Sequence, residues 1–204
     1  MESLPLVPGE VLFVPSGGKS GMPKLAAALR AIKVNVAVSP DLDVLNEESL
    51  VKRLVEAAEG NWQDFEFDYA QATTTFRSAR SPATCGDVLS AVQATFGGRE
   101  AEAFDKAQQQ ELRAQIRTQE SPWKALKDYG DRAFKGQTGP ASERLMAALD
   151  ALGVVLVRVG ELEGFARTLQ ESKGPAWLAA ALQHEAYKGE EVIAHVRRLV
   201  AIAK

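Results

Sequence analysis

Three short apolar runs alternate with longer amphipathic stretches along this 204-residue chain. The runs cover residues 11–14, 34–38 and 154–157, and they are rich in valine and free of charge, which favours buried strands. Between the first two runs, residues 23–33 carry apolar side chains at helical spacing. Strand, turn, helix and strand form a βαβ unit, whose two strands are parallel. The pattern therefore predicts an α/β fold in which helices flank a parallel sheet.

The middle of the chain shows helical periodicity and no strand pattern. We therefore predict an all-helical insertion over residues 48–138, with aromatic side chains as its core. The α/β domain then comprises residues 1–47 and 139–204. The aromatic residues at helical spacing are Trp62, Phe65, Tyr69 and Phe76.

The composition indicates the cellular setting of the protein but says little about its function. A net charge of -3 gives no global attraction to nucleic acid or to an anionic membrane. The single cysteine, Cys85, excludes an intrachain disulfide and suits a reducing, cytoplasmic setting; we expect it to be a small buried side chain. Neither a signal peptide nor an apolar run of transmembrane length is apparent, so no membrane partner is expected. His184 and His195 are expected to be surface or partly packed residues.

Basic side chains in the insertion allow two interpretations. They form a solvated helix face or a surface that contacts DNA. Acidic residues are interspersed among them, which favours the solvated face. These basic residues are Arg77, Arg80, Arg113, Arg117, Lys124, Lys127, Arg132 and Lys135.

A glycine-rich turn joins the first predicted strand to the first helix. Its Gly18-Lys19-Ser20 sequence matches the end of a phosphate-binding P-loop, but Phe13 stands where the full motif requires a glycine. We therefore exclude an ATP-binding P-loop. Two interpretations stay open: a phosphate held by backbone N–H groups at the helix start, or a tight turn with a solvated lysine. The candidate phosphate-binding residues are Gly17, Gly18, Lys19 and Ser20.

Two of the predicted strands each end in two acids one residue apart. Ligands bind at the carboxyl ends of strands in open α/β sheets, and four carboxylates meeting there repel one another unless a cation is bound. Hard divalent cations prefer oxygen ligands, so this pattern predicts one or two Mg²⁺ or Mn²⁺ ions. The alternative is that the acids stabilise the starts of the following helices. Lys19 or Lys173 is the candidate for stabilising charge on a bound phosphate. The candidate metal ligands are Asp41, Asp43, Ser39, Glu161 and Glu163.

Residues 13–20, 41–46 and 159–165, in this order, resemble the carboxyl-terminal Toprim nuclease region of the OLD (overcoming lysogenization defect) family. The resemblance covers almost the whole chain and implies a Toprim-like sheet that cleaves DNA with divalent metal. It also implies two partners, DNA and an N-terminal ABC-type ATPase domain. Asp41 and Asp43 would hold one metal ion. The catalytic residues that the resemblance implies are Asp41, Asp43, Glu161, Glu163 and Lys173.

One departure from the family pattern keeps two functions open. Toprim domains usually begin with an acidic motif ahead of the strand at residues 11–14, and neither Glu2 nor Glu10 matches it. The chain is expected to be a metal-dependent DNA endonuclease domain, the catalytic part of an ATPase–nuclease. The alternative is a truncated, non-catalytic Toprim module that binds metal or DNA or forms a homo-oligomer. A receiver-like phosphoacceptor domain fits less well, because it would not carry the long helical insertion.

Overall fold

The computed structural model describes residues 11–78, 84–99, 101–116, 122–169, 171 and 173–202. The predictions made for Glu2, Glu10, Arg80 and Arg117 lie outside these ranges. The structure is 65% helical. None of the described helices is long and apolar enough to cross a membrane. The α-helices are α1 (Met22–Ala31), α2 (Glu48–Ala57), α3 (Gln63–Ser78), α4 (Cys85–Phe96), α5 (Lys106–Ile116), α6 (Lys124–Tyr129), α7 (Thr138–Ala151), α8 (Pro175–Gln183) and α9 (Glu190–Ile202). Short 3₁₀ helices cover Leu42–Asn46, Gly130–Ala133, Leu162–Ala166 and Ala186–Lys188.

The predicted α/β fold with a Toprim-like parallel sheet is wrong, because no residue in the described ranges belongs to a strand. The fold is all-helical. The first apolar run, residues 11–14, is irregular, and its Leu12 and Phe13 are 85% and 77% exposed. The prediction failed because a short apolar run does not by itself show that the segment pairs with a neighbouring strand.

The other two apolar runs lie side by side as extended segments, here called the parallel pair (residues 36–42 and 153–160). Only two isolated parallel bridges join them, Val38 with Val154 and Asp41 with Val157. Residues 154–157 are all buried, which explains their strand-like composition without a sheet. The hydrogen bonds across the pair run from Val38 N to Gly153 O (2.8 Å), Val155 N to Val38 O (2.8 Å), Val157 N to Pro40 O (3.0 Å) and Leu42 N to Gly160 O (2.7 Å).

The chain divides into two compact units, residues 1–75 with 125–204, and residues 76–124. The second unit is shorter than the predicted insertion, since residues 48–75 and 125–138 belong to the first. In the second unit α4 packs on α5. A capping box starts α4: the Thr84 hydroxyl accepts from Asp87 N (3.1 Å), and Thr84 N donates to the Asp87 carboxylate (2.7 Å). Cys85 is exposed, so its expected burial is wrong.

In the first unit, α2 packs against α1 and against the 3₁₀ helix Leu42–Asn46. The buried aliphatic face of α2 packs against this 3₁₀ helix, which contains Asp43. Fully burying one aliphatic side chain contributes about 1.5–3 kcal/mol to stability, so the packing holds the 3₁₀ helix in place. The Tyr69 hydroxyl of α3 adds a buried hydrogen bond to Leu45 O (2.8 Å). The buried face of α2 consists of Leu50, Val51, Leu54 and Val55, and that of α7 includes Leu145, Met146 and Leu149.

Arg30, near the end of α1, links the start of the parallel pair to the ends of two neighbouring helices by hydrogen bonds. Its guanidinium donates to three backbone carbonyls, those of Val36 (2.9 Å), Leu152 (2.8 Å) and Ala58 (3.0 Å). Carbonyls at the ends of helices lack partners within the helix, and a guanidinium has five donors to offer. Arg30 therefore joins the ends of α2 and α7 to the parallel pair.

Candidate functional site

The parallel pair brings the two acid pairs to the same end of the first unit. The hydrogen bond from Leu42 N to Gly160 O (2.7 Å) places the two chain segments side by side just where the acids begin. Asp41 and Glu161 each lie immediately before one of the five-residue 3₁₀ helices, and the second acid of each pair lies in the first turn. The two acid pairs therefore lie close together although the described residues form no sheet. Two parallel segments are sufficient to bring them together.

The alternative that acids stabilise the starts of the following helices stays open for Asp43 and Glu163, which lie in the first turns of the two 3₁₀ helices. Neither Asp41 nor Glu161 makes a side-chain hydrogen bond that caps its own 3₁₀ helix. The carboxylate of Asp41 instead accepts from the backbone N–H of Leu162, which belongs to the other acid-bearing segment. This contact links the two segments at the level of the acids.

The carboxylates interact electrostatically. The pKa of Asp41 is raised above its usual value, first by partial desolvation and then by the negative charges of Asp43, Glu161 and Glu163. The hydrogen bond from Leu162 N opposes this shift. Since neighbouring like charges disfavour ionisation, the other three acids add to the effect of burial on the pKa of Asp41.

Two lysines neutralise part of this acidic cluster. The Lys127 ammonium of α6 lies 3.1 Å from Asp43 Oδ2, and Lys173 forms an ion pair with Glu161. The Asp43 and Glu161 side chains are only 22% and 16% exposed, whereas both lysines are more exposed. The pKa of Lys127 is raised, first by its hydrogen bond to Asp43 and further by the charges of Glu161 and Asp41. We call these six residues the acid–lysine cluster: Asp41, Asp43, Glu161, Glu163, Lys127 and Lys173.

Lys127 was missed as a site residue by the sequence reasoning, which counted it among the basic side chains of the insertion. Its position depends on a close approach between α6 and the residue before Glu161. A Cβ atom built on Gly160 would lie 2.4 Å from Leu126 O and 2.6 Å from Lys127 O. Nothing in the local sequence around Lys127 indicates this contact, so only the fold reveals it.

The chemistry of the cluster suits a hard divalent cation, because its four carboxylates supply oxygen ligands. As the side chains stand, no group of three or more His, Cys, Asp or Glu among the described residues is arranged to enclose a metal ion. Metal binding therefore requires Asp43 and Glu161 to exchange their lysine partners for the cation. The predicted metal site remains a prediction.

Ser39, a predicted metal ligand, contacts a histidine that the sequence analysis left aside. Its Oγ lies 2.8 Å from His195 Nε2, and Arg198 Nη2 lies 2.9 Å from His195 Nδ1. The His195 side chain is buried at 6% exposure, and its ring packs against Phe165 at 5.5 Å between centroids. Desolvation, followed by the charge of Arg198, lowers the pKa of His195 to about 4. His195 is therefore a buried neutral residue rather than a surface one.

The glycine-rich turn has the tight geometry that its interpretation as a structural turn requires. Gly17 and Gly18 have φ angles of +70° and +107°, which favour glycine, and Gly21 N bonds back to Gly18 O at 3.0 Å. The ammonium of Lys19 lies 2.6 Å from Glu47 Oε1, so its charge is paired rather than solvated. Phosphate binding by Gly17, Gly18, Lys19 and Ser20 stays a prediction.

Comparisons with known proteins add no family assignment. A scan against models of protein families finds no match to this chain. Searches of curated proteins and of solved structures find no significant match either. The function therefore has to be argued from the acid–lysine cluster itself.

Proposed function

We propose that this chain carries a divalent-metal site that hydrolyses phosphodiester bonds in DNA. The main support is that the two acid pairs, more than a hundred residues apart in the chain, lie side by side where Leu42 N donates to Gly160 O at 2.7 Å. Four acids gathered at one place raise the free energy of the unliganded protein, and a bound cation relieves this repulsion. A titratable group whose pKa is shifted by burial and by specific neighbouring charges is a candidate for a functional site.

Each residue of the acid–lysine cluster has a role in this proposal. The carboxylates of Asp41, Asp43, Glu161 and Glu163 would hold Mg²⁺ or Mn²⁺. The bound cation would supply charge neutralisation and an acidified water molecule. Lys127 and Lys173, released from Asp43 and Glu161, would then orient and stabilise the negatively charged phosphate. Acids that hold the cation and lysines that face the substrate thus share one cluster.

The proposed biological setting rests on the order of the sequence motifs. The OLD-family resemblance makes DNA the proposed substrate and an ABC-type ATPase domain the proposed partner. The described residues form no Toprim-like sheet of the kind that this resemblance implied, so the proposal depends on the convergent acids and not on the fold class.

A second candidate is a non-catalytic module that binds metal or DNA. The two lysine ion pairs favour it, because Asp43 and Glu161 already have cationic partners without any metal. A module of this kind would bind the cation or the DNA backbone without cleaving it.

The test is cleavage of supercoiled plasmid in Mg²⁺ and in Mn²⁺. We expect metal-dependent nicking or linearisation that EDTA abolishes and that Asp43→Ala eliminates. Asp64→Ala, which removes an exposed aspartate of α3, is the matched control and should cleave like the parent. Parental cleavage by Asp43→Ala would refute the site. Metal binding by calorimetry without cleavage would support the non-catalytic module instead.

In the proposed site Lys127 has two effects: it competes with the metal ion for Asp43, and it stabilises the bound phosphate. Lys127→Met keeps the length of the side chain but removes the cation that neighbours Asp43. We expect Mn²⁺ affinity to rise by up to about fivefold, since an exposed ion pair contributes up to about 1 kcal/mol, while plasmid cleavage falls. Calorimetric titration measures the affinity. Lys52→Met, at an exposed lysine 4.0 Å from Glu56, is the control. Weaker Mn²⁺ binding by Lys127→Met would show that the lysine supports the metal rather than competing with it.

A further inference from the structure

The first unit contains an apolar stretch that lacks partners for both its side chains and its backbone. This stretch, here called the apolar segment, is Val11, Leu12, Phe13 and Val14, and the side chains of Leu12 and Phe13 are largely exposed. Among the described residues, none forms a backbone hydrogen bond with any residue from 11 to 15. β-Branched and aromatic residues favour the extended conformation of a strand. The apolar segment is therefore suited to pairing with another extended chain.

The parallel pair has an open edge, formed by residues 37–39. The backbone groups of Val38 and Pro40 point inward, because they bond to the opposite segment of the pair. Since alternate residues of an extended chain direct their backbone groups to opposite sides, those of Ala37 and Ser39 point away from the pair. No backbone group of the described residues bonds to Ala37 or Ser39, and both residues are partly exposed. An edge of this kind is a template on which a further extended chain can add.

The glycine-rich turn connects the apolar segment to α1 and leaves it room to change direction. A Cβ atom built on Gly17 or Gly18 would meet nothing within 4 Å, so the turn is not packed against other groups at these positions. Beyond them, the ion pair between Lys19 and Glu47 links the turn to the first unit. The apolar segment can therefore reach a neighbouring molecule while α1 stays in place.

We propose that the apolar segment of one copy adds to the open edge of a second copy, so that this chain forms a symmetric dimer. Each copy donates one segment and accepts one, as in the two-fold arrangement that is commonest among homo-oligomers. The occupant is a second copy because the chain itself supplies an exposed apolar segment, and residues 11–14 do not bond to residues 37–39 of their own molecule. The inference does not depend on the acid–lysine cluster.

The area of this contact is sufficient for a reversible dimer. An aromatic side chain buries about 150–250 Å², and an aliphatic one roughly half as much. Two apolar segments and the surfaces that cover them therefore bury on the order of 1,000 Å², which lies at the lower end of the range for specific interfaces. We expect a dimer whose population depends on protein concentration.

Sedimentation equilibrium of the full chain over a wide range of concentrations tests the dimer. The parent should show a reversible monomer–dimer equilibrium. Phe13→Asp places a charge in the apolar segment and should weaken association by more than about tenfold. Phe67→Asp is the matched control, because Phe67 of α3 is 69% exposed and Phe13 is 77% exposed. This control should associate like the parent.

Ala37→Pro tests the open edge. Proline removes the N–H of residue 37, which has no backbone partner among the described residues, so the substitution should weaken the dimer without breaking a hydrogen bond of the monomer. A mixture of Phe13→Asp and Ala37→Pro should recover part of the association, because the first variant keeps its edge and the second keeps its segment. If Ala37→Pro does not fold, hydrogen exchange measured by NMR replaces it. The amides of Ala37 and Ser39 should become protected as the parent concentration rises and stay unprotected in Phe13→Asp.

Four results would overturn the inference. A parent chain that is monomeric at every concentration would exclude the dimer. Parental association of Phe13→Asp would assign the dimer to another surface, and parental association of Ala37→Pro would show that the apolar segment covers something other than the open edge. Protection of the Ala37 and Ser39 amides in the dilute monomer would show that the apolar segment pairs within its own chain.

Discussion

Replacing Gly160 with alanine is expected to lower the free energy of unfolding by about 3 kcal/mol or more, one of the larger effects available to a single substitution. Gly160 has a φ angle of +108°, a region that residues with a side chain rarely adopt. A Cβ atom there would also lie 2.4 Å from Leu126 O and 2.6 Å from Lys127 O. Both neighbours are backbone atoms of α6, so relief requires the helix to move.

Gly174→Ala is the matched control. Gly174 has nearly the same φ angle, +104°, but a Cβ atom there would meet nothing within 4 Å. Its substitution carries only the conformational cost, about 1–2 kcal/mol. Urea denaturation of both variants separates backbone strain from the close approach of α6. Equal losses in the two variants would show that the contact between Gly160 and α6 contributes nothing.

Gly160→Ala should also disturb the acid–lysine cluster. Moving α6 away from Glu161 carries Lys127 with it, and Lys127 lies 3.1 Å from Asp43. Mn²⁺ affinity is therefore expected to change in Gly160→Ala. Calorimetric titration of this variant with Mn²⁺ tests whether the glycine serves the site as well as the fold.

The second large effect is a loss of stability in mild acid that originates at His195. Its pKa is lowered from 6.5 to about 4 in the folded state. Between these pH values the unfolded chain binds a proton that the folded chain refuses, so the free energy of unfolding falls as pH decreases from about 7 to 4. Each pKa unit corresponds to about 1.4 kcal/mol, so the loss approaches about 3 kcal/mol near pH 4.

The surroundings of His195 explain the direction of this effect. Burial disfavours the imidazolium, and Arg198 and Arg158 add positive charge, while Asp150 alone opposes them. Protonation would also place a hydrogen on Nδ1, which now accepts from Arg198. The acidic form of His195 therefore loses a hydrogen bond as well as its favourable electrostatics.

Thermal unfolding in EDTA from pH 7.5 to pH 4.5 measures the effect. The difference between the parent and His195→Gln isolates the histidine, because the carboxylates titrate in both proteins. We expect the parent to lose stability more steeply than His195→Gln as the pH decreases. His184→Gln should follow the parent. Parallel curves for the parent and His195→Gln would contradict the lowered pKa.

The two acid pairs named from the sequence lie side by side, although no residue in the described ranges belongs to a strand. The apolar runs before Asp41 and Glu161 predicted two extended, parallel segments, and these are present with four hydrogen bonds between them. This pairing of the two segments is sufficient to bring the acids together. A sheet required more, namely a third strand at residues 11–14, and those residues are exposed and irregular.

Local sequence by itself determined the elements whose signals are short-range. Helical periodicity predicted α1 and the presence of helices within residues 48–138, and the spacing of Thr84 and Asp87 matches the cap of α4. The burial of residues 154–157 also followed from composition alone. Such features depend on neighbours within a few positions, where hydrogen bonds and side-chain faces repeat with a known period.

Only the tertiary structure decided which distant groups meet. Ser39 and His195 are 156 residues apart, and Lys127 reaches Asp43 because Gly160 lets α6 approach. These contacts follow no repeating pattern in the sequence, because they form only when several helices bury their apolar faces at the same time. The acids of the candidate site and Lys173 could therefore be named from the sequence, whereas Lys127, which pairs with Asp43, and His195, which contacts Ser39, could not.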